Sequence, residues 1–456
     1  MAGVGLKLRE MSSSDTLWSF ITSHLYAVIL SSTAWVISMV ILLVIYFYAA
    51  SLYGATTISV RFLVAVAYLI SSSLTLSAVF QNAVNRFISD QVYKKKIERI
   101  LPNFMAALLY LIVPATILGY FASSLLLADQ PLMIKFLMAG SFVLLNIIWV
   151  FTNILAGLKN YYFILFSFLS CYLLIFILFI YLYPYELIGL LASFYIGHAL
   201  MLILLFLFLI SNYPSRHLFR WEIRKFMKAN RALIFGGLFF YLGIWIDKYC
   251  FWIYPGTSKQ TLGLLNASPI YDMPVFLSFI LMIPALSMFF YEMETNFSTL
   301  YHRYYESILQ GGTLNEINNK YASLQRVTRT TLLNTMKVQT IVAVTALFLA
   351  PQILKLFHLA PAYVFIFRID IIGTSLLVLF IGQINLMYYL GYSVDVFHLT
   401  LFFFISNLLF SLFSIYLGPV YYGYGFALSV FICNLIAFVQ LIHIFNGLTR
   451  NAFMQW

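Results

Sequence analysis

Ionisable side chains are scarce in this chain: only 9% of its 456 residues are Asp, Glu, Lys or Arg, against 63% hydrophobic. With a mean hydropathy of +0.94, that composition excludes a soluble domain of this length and leaves a polytopic membrane protein. Cysteine is scarcer still. Cys171, Cys250 and Cys433 lie in apolar segments, without CxxC or Cys/His ligand spacing, so neither a disulfide framework nor a metal site is expected. The chain contains no GxxxxGK[ST] phosphate loop, no HExxH, no GxSxG and no DxD pair of aspartates. ATP is therefore not the direct driver, and no cofactor, metalloenzyme, hydrolase or glycosyltransferase chemistry is implied. A formal charge of +11 could point to nucleic acid. The bases sit in short connections between apolar runs, with no soluble module to carry such an interaction. The opening MAGVGLKLREMSSSD lacks the short apolar core of a signal peptide, so the first span is expected to direct insertion itself.

What the chain has in quantity is apolar runs of spanning length. A transmembrane helix takes about 20 apolar residues. By that measure twelve spans are predicted, at 18–48, 57–84, 103–127, 132–156, 161–183, 187–210, 232–254, 270–291, 334–352, 364–390, 396–417 and 422–445. Residues 3–16, with Lys7, Arg9 and Glu10 among apolar residues, suit an amphipathic helix on the membrane surface. Of the 26 Lys and Arg residues, all but Arg61, Lys135, Lys248, Lys259, Lys355 and Arg368 fall in cytosolic segments or, for Lys337, at the cytosolic end of a span when both termini are put in the cytosol, and that bias sets the expected orientation. The longest basic connection, NYPSRHLFRWEIRKFMKANR at 212–231, divides the chain into an N-terminal lobe at 1–211 and a C-terminal lobe at 232–456, six spans each. A second polar segment, 292–334, reads as a cytosolic helix or hairpin.

Against so few charges, the run GGLFFYLGIWIDKYCFWIY, Gly236 to Tyr254, is distinctive, because Asp247 and Lys248 lie inside a spanning segment. Such a residue costs about 2.5–3.5 kcal/mol on insertion scales and points to function. At 100° per residue Asp247 shares a face with Gly236 and Gly243, and Lys248 shares an aromatic face with Tyr241 and Trp245. Adjacent helical positions do not face each other, so the two charges are expected to find separate partners. Asp272 begins the next span and is the expected partner of Lys248 in a state with the outer gate closed. A lysine that snorkels to the interface and an aspartate at a packing contact is the plain alternative.

Span eight, YDMPVFLSFILMIPALSMFFYEMETNFS, carries Pro274 and Pro284, with Glu292 and Glu294 at its inner end. Pro284 is the informative proline, because a mid-span break either marks a substrate path or is a packing kink. Span ten holds Arg368 and Asp370 near the outer boundary, where they form either a solvated rim pair or part of a polar path. LGPVYYGYGF, Leu417 to Phe426, reads as a tight outer turn and secondarily as a sugar-stacking surface. His198 on span six, with no paired Asn or Asp, reads as a packed core residue ahead of an acyltransferase histidine. Aromatics make up 19% of the chain, which suits sugar stacking and interfacial belts alike.

Several stretches together resemble one family, the inner-membrane transporter of the Pel exopolysaccharide system, or PelG family, within the multidrug/oligosaccharidyl-lipid/polysaccharide (MOP) exporter superfamily. The matching residues are MAGVGLKLREM, LGIWIDKYCFW, YDMPVFLSFILMIPALSMFF, METNFSTLYHRYYESILQGGTL, KVQ at Lys337 to Gln339, and LGPVYYGYGFA. One departure is Leu30 to Val36, LSSTAWV, where Thr33 and Ala34 replace the Gly-Pro of the family's S-S-G-P-W pattern. The resemblance implies an all-α protein of twelve transmembrane helices in two six-helix lobes around a cavity. It also implies alternating access and export of an amino-sugar polymer made at the cytosolic face for a biofilm matrix. The implied partners are a cytosolic glycosyltransferase and membrane components responding to cyclic di-GMP.

The substrate pathway expected from these readings comprises Tyr241, Trp245, Asp247, Lys248, Asp272, Pro284, Arg368 and Asp370. Arg224, Lys225 and Lys228 in the basic connection are the expected dock for the synthase. A lipid-linked oligosaccharide flippase and a membrane-embedded polysaccharide acyltransferase are the competing readings. The first would need phosphate-binding bases in the spans, and the second a partner for His198.

Overall fold

In the computed structural model the described residues are 19, 22, 26, 38–48, 57–357 and 359–454, and nearly all of them are helical. The amphipathic helix expected at 3–16 and the Leu30 to Val36 stretch lie outside them, as does most of the first span. Besides residues 19, 22 and 26, what is described of that span is helix α1, Ser38–Tyr48. There follow α2 (Thr57–Tyr93), α3 (Ile100–Leu126), α4 (Leu132–Gly157), α5 (Tyr161–Leu182), α6 (Glu186–Asn212), α7 (Glu222–Ala229) and α8 (Arg231–Ile253). Strands β1 (Lys259–Leu262) and β2 (Leu265–Ala267) come next, then α9 (Pro269–Ile280) and α10 (Ile283–Glu292). The chain closes with α11 (Ser298–Leu309), α12 (Leu314–Leu356), α13 (Val364–Tyr389), α14 (Ser393–Leu417) and α15 (Tyr424–Met454). Among the described residues ten stretches are long and apolar enough to cross a membrane, and one of them, Tyr161–Asn212, is itself two helices joined at Tyr183–Tyr185. This is a multi-pass membrane protein.

The helices gather into two compact units, Thr33–Pro269 and the run from Ile270 onward. The units part at the end of the β-hairpin, so α8, the seventh predicted span, packs with the first unit, chiefly on α2. Polarity is distributed as lipid demands. Ser71, Ser73, Ser77, Ser141, Ser167 and Ser193 are buried between helices of the first unit, while Ile117, Phe121, Phe136 and Leu207 face outward. Small hydroxyl residues let backbones approach and satisfy their own donors on the preceding turn, as Ser71 does on the Tyr68 carbonyl and Ser193 on that of Leu190. In the second unit α12 buries a stripe of Thr328, Thr331, Thr335 and Gln339, then Ala343, Ala346 and Ala350.

Local chemistry explains the breaks. Ahead of Pro284, Leu281 and Met282 donate to the carbonyls three residues back, Ser278 and Phe279, at 3.2 and 3.1 Å, and α9 ends before α10 starts. A proline lacks the donor for the regular ladder and crowds the carbonyl four residues earlier. Pro274, in contrast, is accommodated inside α9. The polar segment 292–334 forms a helical hairpin: α11 and α12 meet at Gly311, whose φ is 71°. Thr313 caps α12 by accepting a hydrogen bond from the Glu316 N–H at 3.3 Å.

The basic connection is not a free linker. The Ile223 N–H donates to Asn103 Oδ1 at 3.1 Å, the Arg220 N–H donates to the Pro102 carbonyl at 3.1 Å, and Arg99 pairs with Glu222 at 3.1 Å, tying α7 to the start of α3. The antiparallel hairpin β1–β2, which the hydropathy pattern does not foretell, rests on the other end of α3. There the Leu264 N–H donates to the Leu126 carbonyl at 2.7 Å, and Leu262 and Leu265 are buried.

Candidate functional site

Helix α8 places Asp247 and Lys248 in the interior of the first unit, with 0% and 5% of their surfaces exposed. Contrary to the expectation of separate partners, they pair with each other. Lys248 Nζ lies 3.2 Å from Asp247 Oδ1 and 3.1 Å from Oδ2, and it also donates to the Ile244 carbonyl at 2.8 Å. Helical geometry keeps adjacent Cβ atoms apart, but a four-carbon stem is long enough to curl back along its own helix and bring the ammonium round to the neighbouring carboxylate. Trp245 completes the arrangement, its ring centroid 5.9 Å from Nζ. Tyr241, one turn earlier, is half-buried with its ring edge-on to Phe240 at 5.6 Å. Two opposite charges that neutralise locally can stay in a spanning helix where either alone could not.

Next along α8, Tyr249 and Trp252 meet polar side chains of α2 and the β-hairpin, and α4 also bonds to α2. Tyr249 donates from its hydroxyl to Ser71 Oγ at 3.0 Å, and Trp149 donates its indole N–H to Ser73 Oγ at 3.0 Å. Tyr68 stacks on Trp252 at 4.4 Å and donates to the Asn266 carbonyl at 3.0 Å, while Asn266 Nδ2 donates to the Trp252 carbonyl at 3.1 Å. The close approach that lets α2 reach α8 is at Gly237, where an added Cβ would stand 2.9 Å from the Ala78 carbonyl oxygen. The sequence pattern drew attention to Gly236 and Gly243, and both are buried. At the hairpin end Arg61, Asp129, Gln130, Gln260 and Thr261 line an open polar depression of about 310 Å³.

The remaining expected residues separate. Asp272 is half-buried in the first turn of α9, where the helix dipole favours a carboxylate. Pro284 sits exposed at the start of α10. Arg368 and Asp370 are not a rim pair. Arg368 is exposed, whereas Asp370 is 1% exposed, and Asp370 Oδ1 abuts Gly423, where an added Cβ would lie 2.9 Å away. Positions two apart on a helix point in different directions, which is why the pair does not form. Arg224, Lys225 and Lys228 are exposed on α7. His198 is buried against Phe194 and Tyr172, with Nδ1 2.8 Å from the Phe194 carbonyl. Among the described residues no three of His, Cys, Asp and Glu gather as a metal ion would require.

Sequence reasoning passed over Glu292 as a terminal acid. It is buried at the entry to a π-helical turn, Met293–Phe297. Its carboxylate accepts from Asn296 Nδ2 at 2.7 Å and from Asn334 Nδ2 of α12 at 2.9 Å. Among the described residues no Lys or Arg lies within 4.0 Å of it. The wider turn rotates Asn296 back toward Glu292, a one-turn irregularity of the kind that clusters at functional positions. The METNF run was the available signal, but nothing in its spacing announces a π turn.

A family model described as PelG, an exopolysaccharide exporter (EPS-E), matches residues 1–453. Among solved structures, an MOP superfamily transporter from Pyrococcus furiosus, whose title reports a binding pocket of reversed polarity, is 13% identical with a TM-score of 0.65, covering 94% of this chain and 96% of that one. An outward-facing multidrug-resistance MATE transporter of the MOP superfamily gives 13% identity and a TM-score of 0.68, covering 93% and 96%. A MATE protein in a bent conformation gives 13% and 0.66, covering 98% and 99%. The fold is that of MOP transporters. A search of curated protein sequences finds no match.

Proposed function

Since the chain belongs to the PelG family of exopolysaccharide exporters, we propose that it passes an amino-sugar polysaccharide through the cytoplasmic membrane by alternating access, while a cytosolic synthase lengthens the polymer for a biofilm matrix. The observation that carries this reading is a family match over residues 1–453 on a chain whose fold is that of MOP transporters. Both termini and the 212–231 connection lie in the cytosol in this reading, because the basic residues concentrate in the connections that this orientation puts there.

Asp247 is the proposed cargo contact. The Lys248 ammonium is shared between the Asp247 carboxylate and the Ile244 carbonyl. When Lys248 settles on the carbonyl, the carboxylate becomes available to an amino-sugar ammonium or hydroxyl, and when the sugar leaves the pair closes again. The acid is thus never left as an uncompensated buried charge. Exposed Arg224, Lys225 and Lys228 on α7 are the proposed contact for the cytosolic glycosyltransferase, with cyclic di-GMP-responsive membrane components completing the assembly.

Deleting the chain from a producing cell should abolish extracellular polymer, and unchanged secretion would refute the export reading. Asp247→Asn keeps size and most hydrogen bonding. It should reduce secreted polymer by roughly tenfold or more at matched membrane abundance, the consequence of removing a charge-assisted contact of about 1.5–3 kcal/mol.

A further inference from the structure

Past the π turn, the second unit assembles a cluster of aromatic rings that the path around Asp247 does not use. Phe297, Tyr301 and Tyr305 follow one another at four-residue intervals and form a row along one face of the turn and α11. Tyr301 stands 6.0 Å from Phe297, 4.7 Å from Tyr305 and 4.9 Å from Tyr389 of α13, the last edge-on at 88°. Tyr389 also meets Phe297 edge-on at 5.2 Å, and Tyr304 meets Tyr305 at 5.2 Å. Phe297 and Tyr304 are fully buried and anchor the row, whereas Tyr301, Tyr305 and Tyr389 each keep part of their surface open.

Two features set this cluster apart from ordinary packing. The open members are tyrosines, which pair an apolar ring with a hydroxyl and are favoured where one end of the side chain stays wet. The Glu292 clamp also holds the π turn, from which α11 and its tyrosines continue, to α12 through Asn334.

We propose that Tyr301, Tyr305 and Tyr389, seated on the buried Phe297, form a stacking platform for the hexosamine rings of the polysaccharide. The platform lies at the α11 end of the second unit, where the growing chain first meets the transporter. This rests on the export reading above and on its orientation. A pyranose ring has an apolar C–H face and an equatorial rim of hydroxyls. A tyrosine row offers the matching pair of surfaces, without the fixed charges that would hold a moving chain in one register. Aromatic stacking is tolerant of sequence and repeats along a strand, which suits a cargo that must slide.

The test uses the full chain in lipid nanodiscs, with a hexamer of N-acetylglucosamine as probe and calorimetry as readout, alongside polymer secretion by cells. Tyr301→Leu with Tyr305→Leu should weaken hexamer binding about tenfold or more, while Tyr301→Phe with Tyr305→Phe should stay within about threefold, since the ring carries the contact. Secretion should fall with binding in the Leu variant. Tyr305→Leu alone, at the open end of the row, gives the same test with the buried anchors untouched, and its binding should fall in the same direction. Failure of the wild-type chain to bind the hexamer, equal binding by the Leu variants, or normal secretion by a Leu variant that has lost binding would each overturn the platform. Any of these can occur while deletion of the chain still abolishes secretion, so the platform can fail with the export reading intact. Unchanged secretion after deletion fails the export reading instead.

Discussion

At Glu292 a single carboxylate joins two helices by accepting one amide donor from each side. Glu292→Gln should therefore destabilise the protein by about 1–3 kcal/mol, because an amide NH2 now faces at least one donor it cannot accept. Thermal unfolding of the purified protein should give a lower midpoint. Adding Asn334→Asp, which restores a carboxylate–amide contact with the roles exchanged, should recover part of the loss, and a double-mutant cycle measures how much. The same scale shows where sequence reasoning stops. That Asp247 and Lys248 stand inside a spanning helix was legible from the run around them, but their mutual pairing was not. Helical faces locate Cβ atoms, whereas Nζ is placed by four further bonds. Glu292 was legible only as an acid at a span end, since its donors come from a π turn and from a residue 42 positions away.

Elements were more readable. The apolar spans over the described residues, an interruption at Pro284 and a helix or hairpin over 292–334 follow from hydropathy and from residues whose backbone chemistry is local, whereas the closure at Gly311 and the extension of α12 back to Leu314 do not. The β-hairpin was not read, because Lys259 to Ala267 is short and its strands are fixed by the seat on Leu126, a tertiary contact. The connection between α14 and α15 offers a sharp test. Gly423 has φ 86°, and a Cβ added there would stand 2.9 Å from Asp370 Oδ1, while Gly391, between α13 and α14, has φ 92° with nothing within 4 Å of such a Cβ. Both Gly→Ala changes carry the backbone cost of roughly 1 kcal/mol or more. Only Gly423→Ala also collides with a buried carboxylate, so its unfolding midpoint should fall further than that of Gly391→Ala. Equal losses would mean that Asp370 moves aside freely.

At the scale of the whole molecule, the orientation proposed from the basic residues can be read by labelling. Cys171, Cys250 and Cys433 are buried, so a membrane-impermeant maleimide should leave the native chain nearly unmarked. Lys259→Cys should then label on intact cells, and Asn318→Cys only after permeabilisation, with the reverse pattern inverting the assignment. Helix α12 makes the orientation consequential. Its 43 residues are one unbroken rod, about 65 Å long at 1.5 Å per residue, whereas the hydrocarbon core of a bilayer is about 30 Å thick. A rod of that length would work as a lever if its membrane-embedded half were to tilt. A 10° tilt of the embedded half would swing the tip, about 30 Å beyond the lipid, by roughly 5 Å. Under the alternating-access reading proposed above, whatever rests on that tip would be displaced once in each cycle.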